Sequence, residues 1–169
     1  MFQALQIASI VLVAGAMTPA LAHALEYPGK LRLQKDAYVA TQQIYYPGFT
    51  YGGGVAEILA ILATLLLTIV TSYGTASFWL TLAAFVAMLS MHAVYWLVTH
   101  PVNNFWVEGL DLKGFGRGFF ALAPTGRGHD GAAPAWTELR DRWEASHIVR
   151  AGLSGLALVL LATAVVLDA

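Results

Sequence analysis

Long apolar runs alternate with shorter polar ones along the chain. The apolar runs cover about residues 4–23, 55–71, 78–99 and 144–167. Each has about the length a helix needs to cross the hydrocarbon core of a bilayer. The pattern therefore predicts an all-α integral membrane four-helix bundle in a single domain, residues 1–169. Interfacial or cytoplasmic connections are expected over 24–54 and 100–143. Residues 71–75 are so few that the second and third spans must form an antiparallel hairpin. Ala20-Leu21-Ala22 resembles a signal-peptide cleavage site, but no Lys or Arg precedes the first run, so a retained helix is expected.

Helix breakers place the expected ends. Pro28 and Gly29 supply a stop for the first span, and Pro101 for the third, because proline lacks the N–H that continues the ladder. In the first connection Asp36 is placed to cap a short helix running to Ile44. Tyr38, Tyr45, Tyr46 and Tyr51 suit the headgroup level, as an interfacial belt or as the lining of a ligand pocket. The glycine-rich stretch 114–131 matches no phosphate-loop pattern and reads as a loop, with His129 solvated. Residues 136–144 are amphipathic and should run as helix into the last span.

Composition supports this reading and removes several chemistries. Hydrophobic residues make up 58% and charged residues 11%, against roughly 25% charged in a soluble domain. A net charge of −1 with no basic tract argues against nucleic acid as a partner. With 0 cysteines there is no disulfide, thiolate metal site or thiol nucleophile. All 9 Lys and Arg residues fall in, or at the edge of, the two long connections. By the positive-inside rule both connections are expected to be cytoplasmic and both termini outside, in a bacterial inner membrane.

The same topology gathers the ionisable residues. The end of span one, the start of span two, the end of span three and the start of span four share one side. His23, Glu26, Glu57, His92, His100, Asn103, Glu144, His147 and Arg150 thus belong to one half of the bundle, while the other half holds little beyond Asp168. Histidine inside a membrane span is costly and suggests function by default. His92, Trp96 and His100 recur every four residues, and Trp143, His147, Arg150 and Ser154 also follow helical spacing, so each set shares roughly one face. Glu144-x-x-His147 and His23-x-x-Glu26, with Glu57 and His92, could be metal ligands of the kind di-metal bundles carry. Arg150 counts against a simple metal cage and favours an anionic or enolate-like oxygen. Blander readings stay open: His23 and His100 as markers of helix ends, His92 as a satisfied core histidine, His147 and Arg150 as snorkelling side chains, and Glu57 paired with a loop arginine.

At His92 through Trp106, and again at Trp143-x-x-x-His147-x-x-Arg150, the chain resembles the anthrone-oxygenase-like family of small membrane proteins. His100-Pro101-Val102-Asn103 and the Trp–His–Arg pattern carry the resemblance. It implies a four-helix membrane bundle. For some members it also implies oxygenation of an anthrone to an anthraquinone without a familiar cofactor. His147, Arg150 and Asn103 are the positions it carries over.

Three functions follow. The first is a membrane oxidoreductase acting on a lipophilic phenol, quinol or anthrone. His147 or His92 would be its base, Arg150 and Asn103 would stabilise the oxyanion, and Trp96, Trp143 and His100 would bind the substrate. The second is a haem- or metal-binding electron-transfer module built on histidines. The third is an accessory subunit packing against a protein partner or its own copy. The sequence names no cofactor. It requires the lipid bilayer as surroundings.

Overall fold

In a bilayer no water is available to satisfy free backbone groups, so an apolar run must close its own hydrogen bonds as a helix. The computed structural model describes residues 1–106, 118–120, 122 and 134–168. Within them the chain is helical, with no strand. α1 spans Phe2–Lys30 and α2 spans Lys35–Tyr45. A π-helical turn, Phe49–Gly53, leads into α3, Gly54–Val70. α4 runs over Ala76–Val94 and passes through a second π turn, Tyr95–Thr99, into α5, His100–Trp106. α6 covers Trp136–Asp168. Four of these helical stretches are long and apolar enough to cross a membrane: Phe2–Lys30, Phe49–Val70, Ala76–Trp106 and Trp136–Asp168. The chain is an all-α integral membrane four-helix bundle.

α1 and α4 each pack against both α3 and α6. The seam is built from small or slender residues, among them Val13, Ala16, Ala20, Ala60, Ala84, Ala87 and Ala157, with Met88, Met91 and Leu161 filling the wider gaps. Small side chains let helices approach closely where lipid offers no hydrophobic force to drive them together. Among the described glycines the tightest is Gly53, where a Cβ would come within 2.9 Å of the Pro19 ring. Gly74, at φ +82°, makes the tight turn between α3 and α4. Hydroxyls within the spans bond back to carbonyls of the preceding turn, as Thr64 does to Ala60 and Ser154 to Arg150. At one end of the bundle Asp168 accepts hydrogen bonds from Gln6 and Ser77, joining α1, α4 and α6. At the other, α2 and α5 bring Tyr38, Val102 and Trp106 against Trp143 of α6 in a second cluster.

Several sequence expectations need correction. Pro28 does not stop α1, which runs on to Lys30, because a proline in the final turn removes a single ladder bond. Pro101 does not end the third span either. The helix widens to i→i+5 bonding just before it, and the Leu97 carbonyl, which residue 101 would engage in an α ladder, accepts instead from the Arg142 guanidinium at 3.3 Å. Gln34, not Asp36, takes the N-cap position of α2; Asp36 lies in the first turn, where its charge suits the helix dipole. Tyr38 belongs to no interfacial belt, since it is fully buried. Residues 136–144 do continue as helix into the last span. The glycine-rich stretch with His129 lies outside the described residues, apart from 118–120 and 122.

The bundle orientation is directly testable. Gln43 on α2 and Tyr73 in the α3–α4 turn are both exposed, and they lie at opposite ends of the spans. In a chain with no native cysteine, Tyr73→Cys should react with an impermeant maleimide added to intact cells, and Gln43→Cys only after lysis. The reverse pattern would invert the topology.

Candidate functional site

Between the polar ends of the helices lies a cavity of about 430 Å³, reached by α1, α2, α3, α4, α5 and α6. Its walls are aromatic and apolar, with Phe49, Trp96, Trp106, Phe119, Phe120 and Trp143 among them, and a few polar side chains converge on it. This is the composition of a small-molecule site. Two charged clusters and one histidine pair supply its ionic and basic groups.

In the first cluster Glu57, near the start of α3, is 4% exposed. Its Oε2 accepts from the Arg150 guanidinium at 2.7 Å and its Oε1 from His92 Nδ1 at 2.9 Å. His92 Nε2 accepts from the Trp96 indole N–H at 2.9 Å. An indole nitrogen can only donate, so His92 carries its proton on Nδ1 and is neutral. Both of its ring nitrogens are committed. Arg150 also lies over the Tyr95 ring, 5.1 Å from its centroid. Glu57 therefore pairs with a cation from inside the bundle rather than with a loop arginine.

The second cluster surrounds Lys30, the last residue of α1, which is 3% exposed. Its three N–H bonds match three acceptors: His23 Nδ1 at 3.0 Å, Glu26 Oε2 at 3.1 Å and Glu144 Oε1 at 3.3 Å. Tyr38 donates to Glu144 at 2.7 Å, and Tyr45 donates to Glu26 at 2.5 Å. Burial first, and the adjoining carboxylates second, push both phenols above their ordinary range, so both stay protonated donors.

Between the clusters His23 and His147 meet edge to face, with ring centroids 4.4 Å apart. Both are buried, at 3% and 5% exposure, so neither His23 as a helix-end marker nor His147 as a snorkelling side chain describes them. His147 Nδ1 lies 2.9 Å from the Trp143 carbonyl, which can only accept. The proton therefore sits on Nδ1, and Nε2 keeps a lone pair with no protein hydrogen bond among the described residues. His23 is the reverse. Its Nδ1 faces a lysine that can only donate, so Nε2 carries the hydrogen. Both histidines line the cavity. The pair thus offers one acceptor and one donor side by side.

The remaining residues hold this arrangement. Asn103 accepts from the Trp143 indole at 2.8 Å and donates to the Tyr95 hydroxyl at 3.4 Å, so it fixes two walls of the cavity. His100, expected at the site by its spacing from Trp96, does not line the cavity. It is 1% exposed and holds the Tyr95 hydroxyl at 3.0 Å from behind. The π turn explains the shift, because its extra residue rotates everything after it by about 100° relative to an α-helix. Of the six residues considered as metal ligands, Glu57 and His92 fall in the first cluster, His23, Glu26 and Glu144 in the second, and His147 lies between them against His23. Among the described residues no three His, Asp or Glu side chains form a group that could hold a metal ion. His23 and His147 are in ring contact, which leaves no gap between them for a haem. Of the four tyrosines, Tyr45, Tyr46 and Tyr51 line the cavity, which favours the pocket reading over the belt. Sequence reasoning missed Lys30 and Tyr95, and it named Tyr38 only as a belt or pocket residue, not as the partner of Glu144. The burial of Lys30 has one detectable signal, its i, i+4 and i, i+7 spacing from Glu26 and His23 on a continuous helix.

The Glu57–Arg150 pair makes a stability prediction. Arg150→Met leaves a buried carboxylate with His92 as its remaining partner, and breaking a buried pair from one side costs about 3–5 kcal/mol. The double variant Glu57→Gln/Arg150→Met should recover much of that loss. Thermal unfolding in detergent would check it, and an unchanged midpoint for Arg150→Met would contradict the pairing.

Comparison with known proteins agrees with this architecture. No curated protein and no solved structure matches the chain. The family described as anthrone oxygenase matches residues 43–160, which hold Glu57, His92, Asn103, His147 and Arg150. Since that match covers well over half of the 169 residues, the chain belongs to the anthrone oxygenase family.

Proposed function

We propose that the chain oxygenates a lipophilic aromatic ketone or phenol of the anthrone type with dioxygen, and that His147 is the base. One observation carries the reading: an aromatic cavity in which a histidine acceptor and a histidine donor, each fixed as a tautomer by a neighbour, stand side by side. The family match supports the reaction class. His92 is a poorer base because Glu57 and Trp96 occupy both of its nitrogens.

His147 Nε2 takes a proton from the methylene carbon of the ketone. The C–H electron pair passes to the ring system and the ketone oxygen as an enolate. The His23 Nε2–H and the Arg150 guanidinium hold that oxygen, acting as donors placed where charge develops. Dioxygen takes electrons from the carbanion carbon and forms a C–O bond, and the proton on His147 returns to the peroxide. Loss of the second methylene proton, with cleavage of the O–O bond, gives the quinone and one water. Atoms balance as ketone plus O₂ to quinone plus H₂O, with dioxygen as the only oxidant. Trp143 and Asn103 act as positioning residues: the first fixes the His147 tautomer through its carbonyl, and the second fixes Trp143. Trp96 walls the cavity.

The test is turnover of anthrone by purified protein, read as quinone absorbance and oxygen uptake. His147→Gln keeps a donor for the Trp143 carbonyl and nearly the same volume, but its amide cannot accept a proton. General-base loss of this kind is worth about 100-fold or more in rate. His147→Gln with wild-type turnover would eliminate the mechanism. Lys30→Met should also slow turnover, because His23 then loses the partner that fixes its hydrogen on Nε2. Lys30→Arg, which still only donates, should restore part of the rate.

A further inference from the structure

α3 shows where the cavity meets its surroundings. Its exposed residues Val55, Ile58, Leu62, Leu65 and Ile69 recur at intervals of three and four, with Leu59 and Leu66 beside them, so they form one apolar stripe along the helix. A stripe of that kind, on a helix long and apolar enough to span, faces the acyl chains. Three of its members, Val55 at 60%, Ile58 at 46% and Leu59 at 44% exposure, also line the cavity. Trp96, 37% exposed on the neighbouring π turn of α4, lies on both surfaces as well. The same side chains thus lie both on the exposed stripe and on the cavity wall. Polar closure lies elsewhere: the Lys30 cluster with Tyr38 and Tyr45 blocks the direction of α2 and the interface.

We infer that the cavity is filled sideways from the bilayer, through a portal between the first turns of α3 and the π turn of α4, and that the occupant is a neutral fused-ring aromatic dissolved in the membrane. A flat apolar ring system reaches the histidine pair this way without crossing water. An ionised molecule would have to shed its hydration at the apolar stripe, which disfavours it. This inference rests on the oxygenase reading for the identity of the ligand, but the portal itself is tested by binding.

The chain's lack of cysteine gives a clean background for single labels. Val55→Cys marks the portal. Leu25→Cys on α1 is also exposed, does not line the cavity, and lies about one and a half turns from the same end of the bundle. In proteoliposomes both should react with a membrane-dissolved pyrenyl maleimide, and Val55→Cys more slowly with a sulfonated, impermeant one. Anthraquinone at about ten times its dissociation constant should slow pyrenyl labelling of Val55→Cys roughly tenfold and leave Leu25→Cys unchanged. Equal slowing at both positions, slowing at neither, or faster labelling of Val55→Cys by the impermeant reagent would overturn the portal. Protection by oleate but not by anthraquinone would mark a lipid-chain site and overturn it too. Anthrone turnover in the same vesicles separates the two readings. Turnover without protection removes the portal alone. Protection without turnover removes the oxygenase reading and leaves a binding pocket fed from the bilayer.

Discussion

A charged side chain inside a helical membrane bundle is tolerated only with its counter-charge beside it, and that requirement organises this molecule. Glu57 meets Arg150 and His92, and Lys30 meets Glu26, Glu144 and His23. Each pairing joins different elements. Glu57 ties α3 to α4 and α6, while Lys30 and Tyr38 tie α1 and α2 to α6. The clusters pair their charges but leave a few polar atoms over, Arg150 Nε and Glu144 Oε2 among them. His147 differs in kind: one nitrogen is held by a carbonyl in its own helix and the other is left as a basic acceptor in the cavity. Pairing the charges therefore also selects which group is left for chemistry.

That selection depends on how the helices are spaced. Over most of its length the bundle is closed by alanine, valine, leucine and methionine at its seam. At the polar end the seam residues give way to aromatic rings and long ionisable side chains that line the cavity. Trp143 touches His147, His23 and Trp106, with centroids 4.0, 4.7 and 6.3 Å from its own. One large ring thus separates the histidine pair from the outer aromatic cluster while its backbone carbonyl sets the tautomer of His147. The contact of Pro19 with Gly53 fixes the approach of α1 to the start of α3 on the opposite side.

Much of this was legible in the sequence because membrane physics leaves few options. Apolar run lengths gave the four spans, and span topology put Glu57, His92, His147 and Arg150 at one end before any contact was visible. Their inward placement followed from the cost of facing lipid. Lys30 and Tyr95 were not legible as site residues, nor was the bond of Tyr38 to Glu144. Lys30 and Tyr38 sit in a segment whose polarity and Pro28-Gly29 signature read as a connection. Tyr95 carries no ionisable marker at neutral pH. The division of five candidate metal ligands into two ion-pair clusters, with His147 left between them, was equally hidden, because an i, i+3 spacing fixes a shared face and not a partner.

The two π turns account for the rest. Neither Phe49–Gly53 nor Tyr95–Thr99 has a composition that announces a widened helix, yet both border the cavity. In the second, the register change separates three residues that an α-helix would keep roughly in line. His92 and Trp96 stay on the cavity, while His100 turns into the protein to hold the Tyr95 hydroxyl. Beside it Pro101, with no N–H, leaves the Leu97 carbonyl to the Arg142 guanidinium of α6. A regular α-helix through Thr99 would point His100 into the cavity as a second acceptor and leave Tyr95 without its anchor. The widened turn instead keeps the acceptor role with His147, and it leaves Trp96 at the lipid boundary where the cavity opens.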